Sequence, residues 1–192
     1  MKSFFPVLAL MIAGSTLWLS PARAQETNMT NLDAATEATL NVIDATQTVI
    51  GDGKTCLVKI TSNKNSLVQD VDKLRTLGIL NNSFSDDYFE NNPGVLITVM
   101  AFQSATVATN GFFGANQTAQ SCKFEQYLGY TDDYGNDQSQ LLFSYKFTRA
   151  IYTKINWDKF NAANISAVSS DFSLTPAMKA IVQLANQPNG ND

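Results

Sequence analysis

The sequence predicts an α+β domain: a small, mainly antiparallel sheet with a C-terminal β-hairpin packed against several helices. Three observations carry this expectation. Apolar residues recur at helical spacing from Leu32 to Ile50, from Leu67 to Leu77 and from Met178 to Ala185. They alternate at period two in Lys54–Thr61, Ala119–Thr131 and Gln138–Thr148. The last two runs flank Asp132-Asp133-Tyr134-Gly135-Asn136-Asp137, which is turn chemistry throughout.

Residues 1–24 read as a secretory signal peptide. Lys2 supplies a positive charge, an apolar stretch runs from Phe4 to Leu19, and Ser20-Pro21 breaks it before Ala22-Arg23-Ala24. Small side chains three and one residues before the cut suit a signal peptidase, so cleavage is expected between Ala24 and Gln25. The apolar run is shorter than the ~20 residues of a spanning helix. Cleavage leaves 168 of the 192 residues, with one domain expected over residues 25–185 and a polar, disordered tail over 186–192. It also removes Lys2 and Arg23, taking the net charge from −4 to −6.

An acidic body with scattered lysines lacks the electrostatic footprint of a nucleic-acid binder. No stable membrane insertion is expected once the leader is gone. Cys56 and Cys122 both lie in the mature part. An even cysteine count in an oxidising compartment predicts one disulfide between them.

The first helix is expected over Asn31–Ile50, with Leu32, Ala35, Thr39, Val42, Ile43, Thr46, Val49 and Ile50 on one face and Gly51-Asp52-Gly53 as its stop. A strand follows over Lys54–Thr61. Ser66 caps a helix to Leu77, with Gln69 completing a capping box. Ser83 or Ser85 caps a short helix over Phe84–Glu90. The segment from Pro93 to Asn110 reads both ways. Asn92 as cap, Pro93 at the first helical position and Asn110-Gly111 at the end favour helix; its β-branched content favours strand. Helix is preferred.

Strands are next expected over Ala119–Thr131 and Gln138–Thr148, the second extending through Ile151, Thr153 and Ile155. Asn156 caps a short helix carrying Trp157 and Phe160. A polar stretch leads to Thr175, which caps a terminal helix with Pro176 in its first turn. Pairing of Cys56 with Cys122 would bring the first strand beside the hairpin.

The chain has no histidine. That removes Ser-His-Asp and Cys-His nucleophile systems, His-containing zinc sites and the commonest neutral-pH base. No phosphate-binding glycine loop or dinucleotide fingerprint occurs. The loop Asp132–Asp137 fails the spacing of a calcium loop, because Tyr134 stands third and the glycine fourth. No cofactor and no metal ion is expected. The exposed aromatic and acidic residues of the hairpin, Tyr127, Tyr130, Asp132, Asp133, Tyr134 and Asp137, are the candidate contact residues. Tyr127 leads, because it falls on the polar face beside Lys123 and Glu125. The expected function is an exported, periplasmic or secreted, non-enzymatic protein that binds a protein or a cell-envelope component. The alternatives are a small carboxylate-dependent hydrolase of envelope polysaccharide using Glu125 with Asp132 or Asp133, and an inhibitory or structural subunit of a secreted assembly.

Overall fold

The computed structural model describes residues 36–37, 40–41, 45–51, 54–64, 71–76 and 85–185. The expected signal peptide over 1–24, the tail over 186–192 and parts of the helices expected over 31–50 and 66–77 lie outside these residues. Two short stretches, 36–37 and 40–41, are helical. The described elements then run β1 Ala45–Gly51, β2 Thr55–Asn63, α1 Val71–Thr76, α2 Asp86–Asn91, α3 Pro93–Ala115, β3 Ser121–Thr131 and β4 Asp137–Thr148. They continue with α4 Arg149–Tyr152, 3₁₀ turns at Trp157–Lys159 and Ala162–Asn164, α5 Ile165–Val168, β5 Ser170–Leu174 and α6 Pro176–Ala185.

These elements make an α+β fold around one five-stranded sheet of order β1-β2-β3-β4-β5. The sheet is mixed. β1–β2, β3–β4 and β4–β5 pair antiparallel, whereas β2 and β3 run parallel. Two parallel neighbours need a long crossover between them, and the segment containing α3 supplies it. The expected C-terminal hairpin is corrected in place: β3 is the central strand, and four helical segments, a strand and α6 follow β4. Cys56 and Cys122 are register partners across β2 and β3, with Cα atoms 4.5 Å apart, and are joined by a disulfide.

Period-two patterning divides the sheet into two faces. Val58, Ile60 and Ser62 of β2, Cys122, Phe124, Gln126 and Leu128 of β3, and Phe143, Tyr145 and Phe147 of β4 are buried against the helices. α3 covers this face. Asn92 precedes Pro93 at its start, and Leu96, Met100, Ser104, Ala105, Ala108, Phe112 and Phe113 turn inward. Small residues at Ser104, Ala105 and Ala108 let the helix approach the sheet, where the Phe124 and Tyr145 rings stack 5.0 Å apart. Tyr145 OH donates to Ala105 O at 3.0 Å and lies 2.7 Å from Thr109 Oγ1. Burial pushes the Tyr145 phenol far above its ordinary value, against the opposing bond with Thr109. Beside it, Gln126 Nε2 donates to Ser62 Oγ, which lies 3.1 Å from Ser104 Oγ. By length and composition α3 could cross a membrane; its apolar content is that of a helix packed on more than one side.

Several boundaries differ from expectation. The helix expected to reach Ile50 gives way to β1, whose Val49 pairs with Val58 and Ala45 with Ser62. Gly111 does not stop α3. It lies inside the helix because a Cβ there would collide with the Thr36 side chain. β4 ends at Thr148, whose hydroxyl accepts from Ile151 N and starts α4, so there is no strand through Ile155. Trp157 sits in a 3₁₀ turn. The polar stretch before Thr175 contains β5, held by pairing with β4. Ser85, one of the two expected caps, caps α2, and Ser83 lies outside the described residues.

Candidate functional site

The second face of the sheet is open. It carries Thr46, Thr48 and Ile50 of β1, Leu57, Lys59, Thr61 and Asn63 of β2, and Lys123, Glu125, Tyr127, Gly129 and Thr131 of β3. Asp137, Ser139, Leu141, Ser144 and Lys146 of β4 complete it. None of these side chains is buried. The register lines them up in rows across the strands. One row is Ile50, Leu57, Lys123, Lys146; the next is Thr48, Lys59, Glu125, Ser144; then come Thr46, Thr61, Tyr127, Leu141, the row Asn63, Gly129, Ser139, and the pair Thr131, Asp137.

Glycine has no side chain to fill the place of Gly129 in its row. Over Gly129 lies a hollow of ≈ 250 Å³, lined by Thr46, Thr61, Asn63, Gly129, Tyr130, Thr131, Asp137 and Gln138. A Cβ at Gly129 would stand 3.2 Å from Thr61 Cγ2. The hollow is smaller than a drug-sized pocket and suits one ring-sized group. Threonine hydroxyls, the Asn63 amide and the Asp137 carboxylate lie on this face, and Tyr130 and Gln138 border the hollow from strand positions that alternate onto the other face. Thr131 Oγ1 donates to Asp137 Oδ1 at 3.3 Å.

The expected contact residues divide among three places. Tyr130 and Asp137 line the hollow. Tyr127 lies one row away, as its position in the alternation predicts, but it is half-buried and its OH donates to Glu125 Oε2 at 2.8 Å. Lys123 Nζ donates to Glu125 Oε1 at 2.7 Å. Burial raises the Glu125 carboxyl, yet the bonds from Lys123 and Tyr127 and the charges of Lys123 and Lys59 outweigh it and hold the group below its ordinary value. Burial, then the bond to Glu125 and its charge, push the Tyr127 phenol up.

Asp132, Asp133 and Tyr134 belong to the hairpin loop. Asp132 Oδ1 accepts from Tyr134 N at 3.0 Å and Asn136 N at 2.8 Å, and Gln138 Nε2 donates to Oδ2 at 3.3 Å. The Asn136 amide leads the causes that lower its carboxyl. Asp132 therefore holds the loop's shape, while Gly135, at φ +81°, makes the turn. Asp133 is exposed at the tip, beside Tyr134 at 91 % exposure. No group of three or more His, Cys, Asp or Glu among the described residues is arranged to hold a metal ion.

Sequence reasoning missed Gly129, Thr46, Thr61, Asn63 and Gln138. Gly129 had a signal: a glycine inside an alternating strand marks a gap or a close approach. Thr46 had none, because its segment reads as helix. Lys59, Lys123 and Lys146, separated in the chain, come onto one face. Compared with known proteins, the chain matches no family model, no curated protein and no solved structure.

Proposed function

We propose that the protein is exported and works by binding a component of the cell envelope, without catalysis, through the hairpin end of the open sheet face. The hollow over Gly129 carries this reading: a polar concavity on a face where no described side chain is buried. It draws on four strands and includes Tyr130 and Asp137. The Cys56–Cys122 disulfide supports an oxidising compartment and, with the leader expected over residues 1–24, export.

A hydrolase would need a carboxyl kept protonated as general acid, which calls for a raised pKa. Glu125 is shifted the other way, by its bonds to Lys123 and Tyr127. Binding is therefore the reading the chemistry of this face favours.

The test is retention of mature protein on insoluble envelope material and on immobilised envelope extract. Gly129→Val would fill the hollow and Thr61→Ala would remove a hydroxyl from its wall. Each is expected to weaken retention about tenfold while far-UV circular dichroism stays unchanged. Equal retention of wild type and both variants would reject the assignment.

A further inference from the structure

One end of the open face is basic, on a chain with 17 acidic and 13 basic residues. Lys123 and Lys146 stand directly opposite each other across β3 and β4, and Lys59 is opposite Glu125 across β2 and β3. Like charges directly opposite destabilise a strand pair. Glu125 answers only part of that charge, because its oxygens are engaged by Lys123 and Tyr127. Lys146 is exposed and makes no ion pair among the described residues. Three cations and two acids therefore sit on three neighbouring strands, with Asp137 at the hollow and the three lysines around Glu125, a local rule broken at the lysine end, where an anionic partner would repair it.

The lysines and the hollow lie on the same face. Along β3, Glu125 is four residues from Gly129 and Lys123 is six, roughly 13 and 20 Å at 3.3–3.4 Å per residue. We propose that this face binds an acidic glycan, a ligand class that rests on the binding role proposed above. An uncharged sugar occupies the hollow, and carboxylates further along the chain meet Lys59, Lys123 and Lys146.

Two observations favour a glycan over an acidic peptide. The hollow offers Thr46, Thr61 and Thr131 hydroxyls and the Asp137 carboxylate. These groups match the donors and acceptors of sugar hydroxyls, and Asp137 steers an anion away from the hollow toward the lysines. A peptide adding as a strand needs an open sheet edge. The lysines instead stand on β2, β3 and β4, each hydrogen-bonded on both sides.

Isotope-labelled mature protein would be titrated with three probes: a hyaluronan hexasaccharide, in which neutral and carboxylate sugars alternate; neutral chitohexaose; and hexaglutamate. Amide shifts would map the contact and calorimetry would measure affinity. The hyaluronan fragment is expected to move resonances around both Gly129 and Lys123, with an affinity that falls as salt is raised. Lys123→Gln/Lys146→Gln is expected to weaken it at least tenfold and to leave chitohexaose unchanged. Lys146→Gln alone leaves the Lys123–Glu125 pair intact and relieves the like-charge contact, so it should weaken binding without lowering the unfolding midpoint, and lost affinity would not reflect lost fold. Tighter binding of hexaglutamate than of the hyaluronan fragment would overturn the glycan in favour of an acidic peptide. Chitohexaose binding as tightly as the hyaluronan fragment, insensitive to the lysine variant, would overturn the anionic ligand yet leave the hollow as a binding site. No shift near Gly129 with any probe, together with unchanged envelope retention of Gly129→Val, would remove both.

Discussion

Arg149 grips the end of α3 through Phe113. Its Nη1 donates to Phe113 O at 2.8 Å, and the guanidinium stands 4.9 Å over the Phe113 ring. Nη2 donates to Asn116 O, and Nε to Ala119 O at 3.2 Å. A planar cation thus satisfies carbonyls that a helix C-terminus leaves without partners and complements its dipole. Tyr152 packs on the guanidinium too, 5.2 Å from ring centre to charge. Arg149→Lys keeps the charge but loses the fork, and is expected to cost about 2–3 kcal/mol. Urea unfolding should show a lower midpoint at constant slope. A midpoint equal to wild type would refute this role.

The disulfide joins neighbouring strands that are separated by 66 residues in sequence. Closing a loop of that length restricts the unfolded chain, which stabilises the fold by about 4 kcal/mol in the chain-entropy model. Cys56→Ser/Cys122→Ser should lose stability of that order. Thiol titration of denatured wild-type protein should find no free thiol. Two free thiols in exported protein would contradict the bridge.

Glu125 makes stability pH-dependent in a known direction. Its carboxyl is held below the unfolded value, so its contribution is present above about pH 4.3 and is lost as pH falls through the lowered folded value. Glu125→Gln removes this dependence and leaves Lys123 without its partner. Thermal unfolding should find the variant less stable than wild type at pH 7, with the gap closing as pH falls below about 4.3 and through the lowered folded value. A gap of constant size would show that Lys123 and Tyr127 do not favour the charged form.

Asp132 acts on the loop. Asp132→Asn keeps an oxygen acceptor but not the charge, and Asp132→Ala removes both. Hydrogen exchange at the Tyr134 and Asn136 amides should quicken slightly in the first and strongly in the second. Exchange unchanged in Asp132→Ala would mean the backbone bonds of Asp132 and Gly135 hold the turn alone.

Local chemistry was enough to read several elements from the chain. Pro93 after Asn92 announced α3, and Thr175 before Pro176 announced α6. The alternation of Cys122, Phe124, Gln126 and Leu128 announced β3 and its buried face. Each signal lies within a few residues of what it specifies.

β1 was hidden because Val42, Ile43, Thr46, Val49 and Ile50 suit a helical period, and only pairing with β2 makes Ala45–Gly51 a strand. β5 was hidden because Ser170–Leu174 is short and mostly polar, and is held by β4 and by Phe172 against Phe143. The parallel neighbourhood of β2 and β3, the hollow over Gly129 and the lysine ladder all depend on which strands become neighbours and in what register. Such relations join residues far apart in the chain. Their free energy comes from closing long loops around a shared core, so no local pattern can encode them. The amino-acid order decided the alternation, the caps and the cysteine pair; packing decided which of the polar residues would meet.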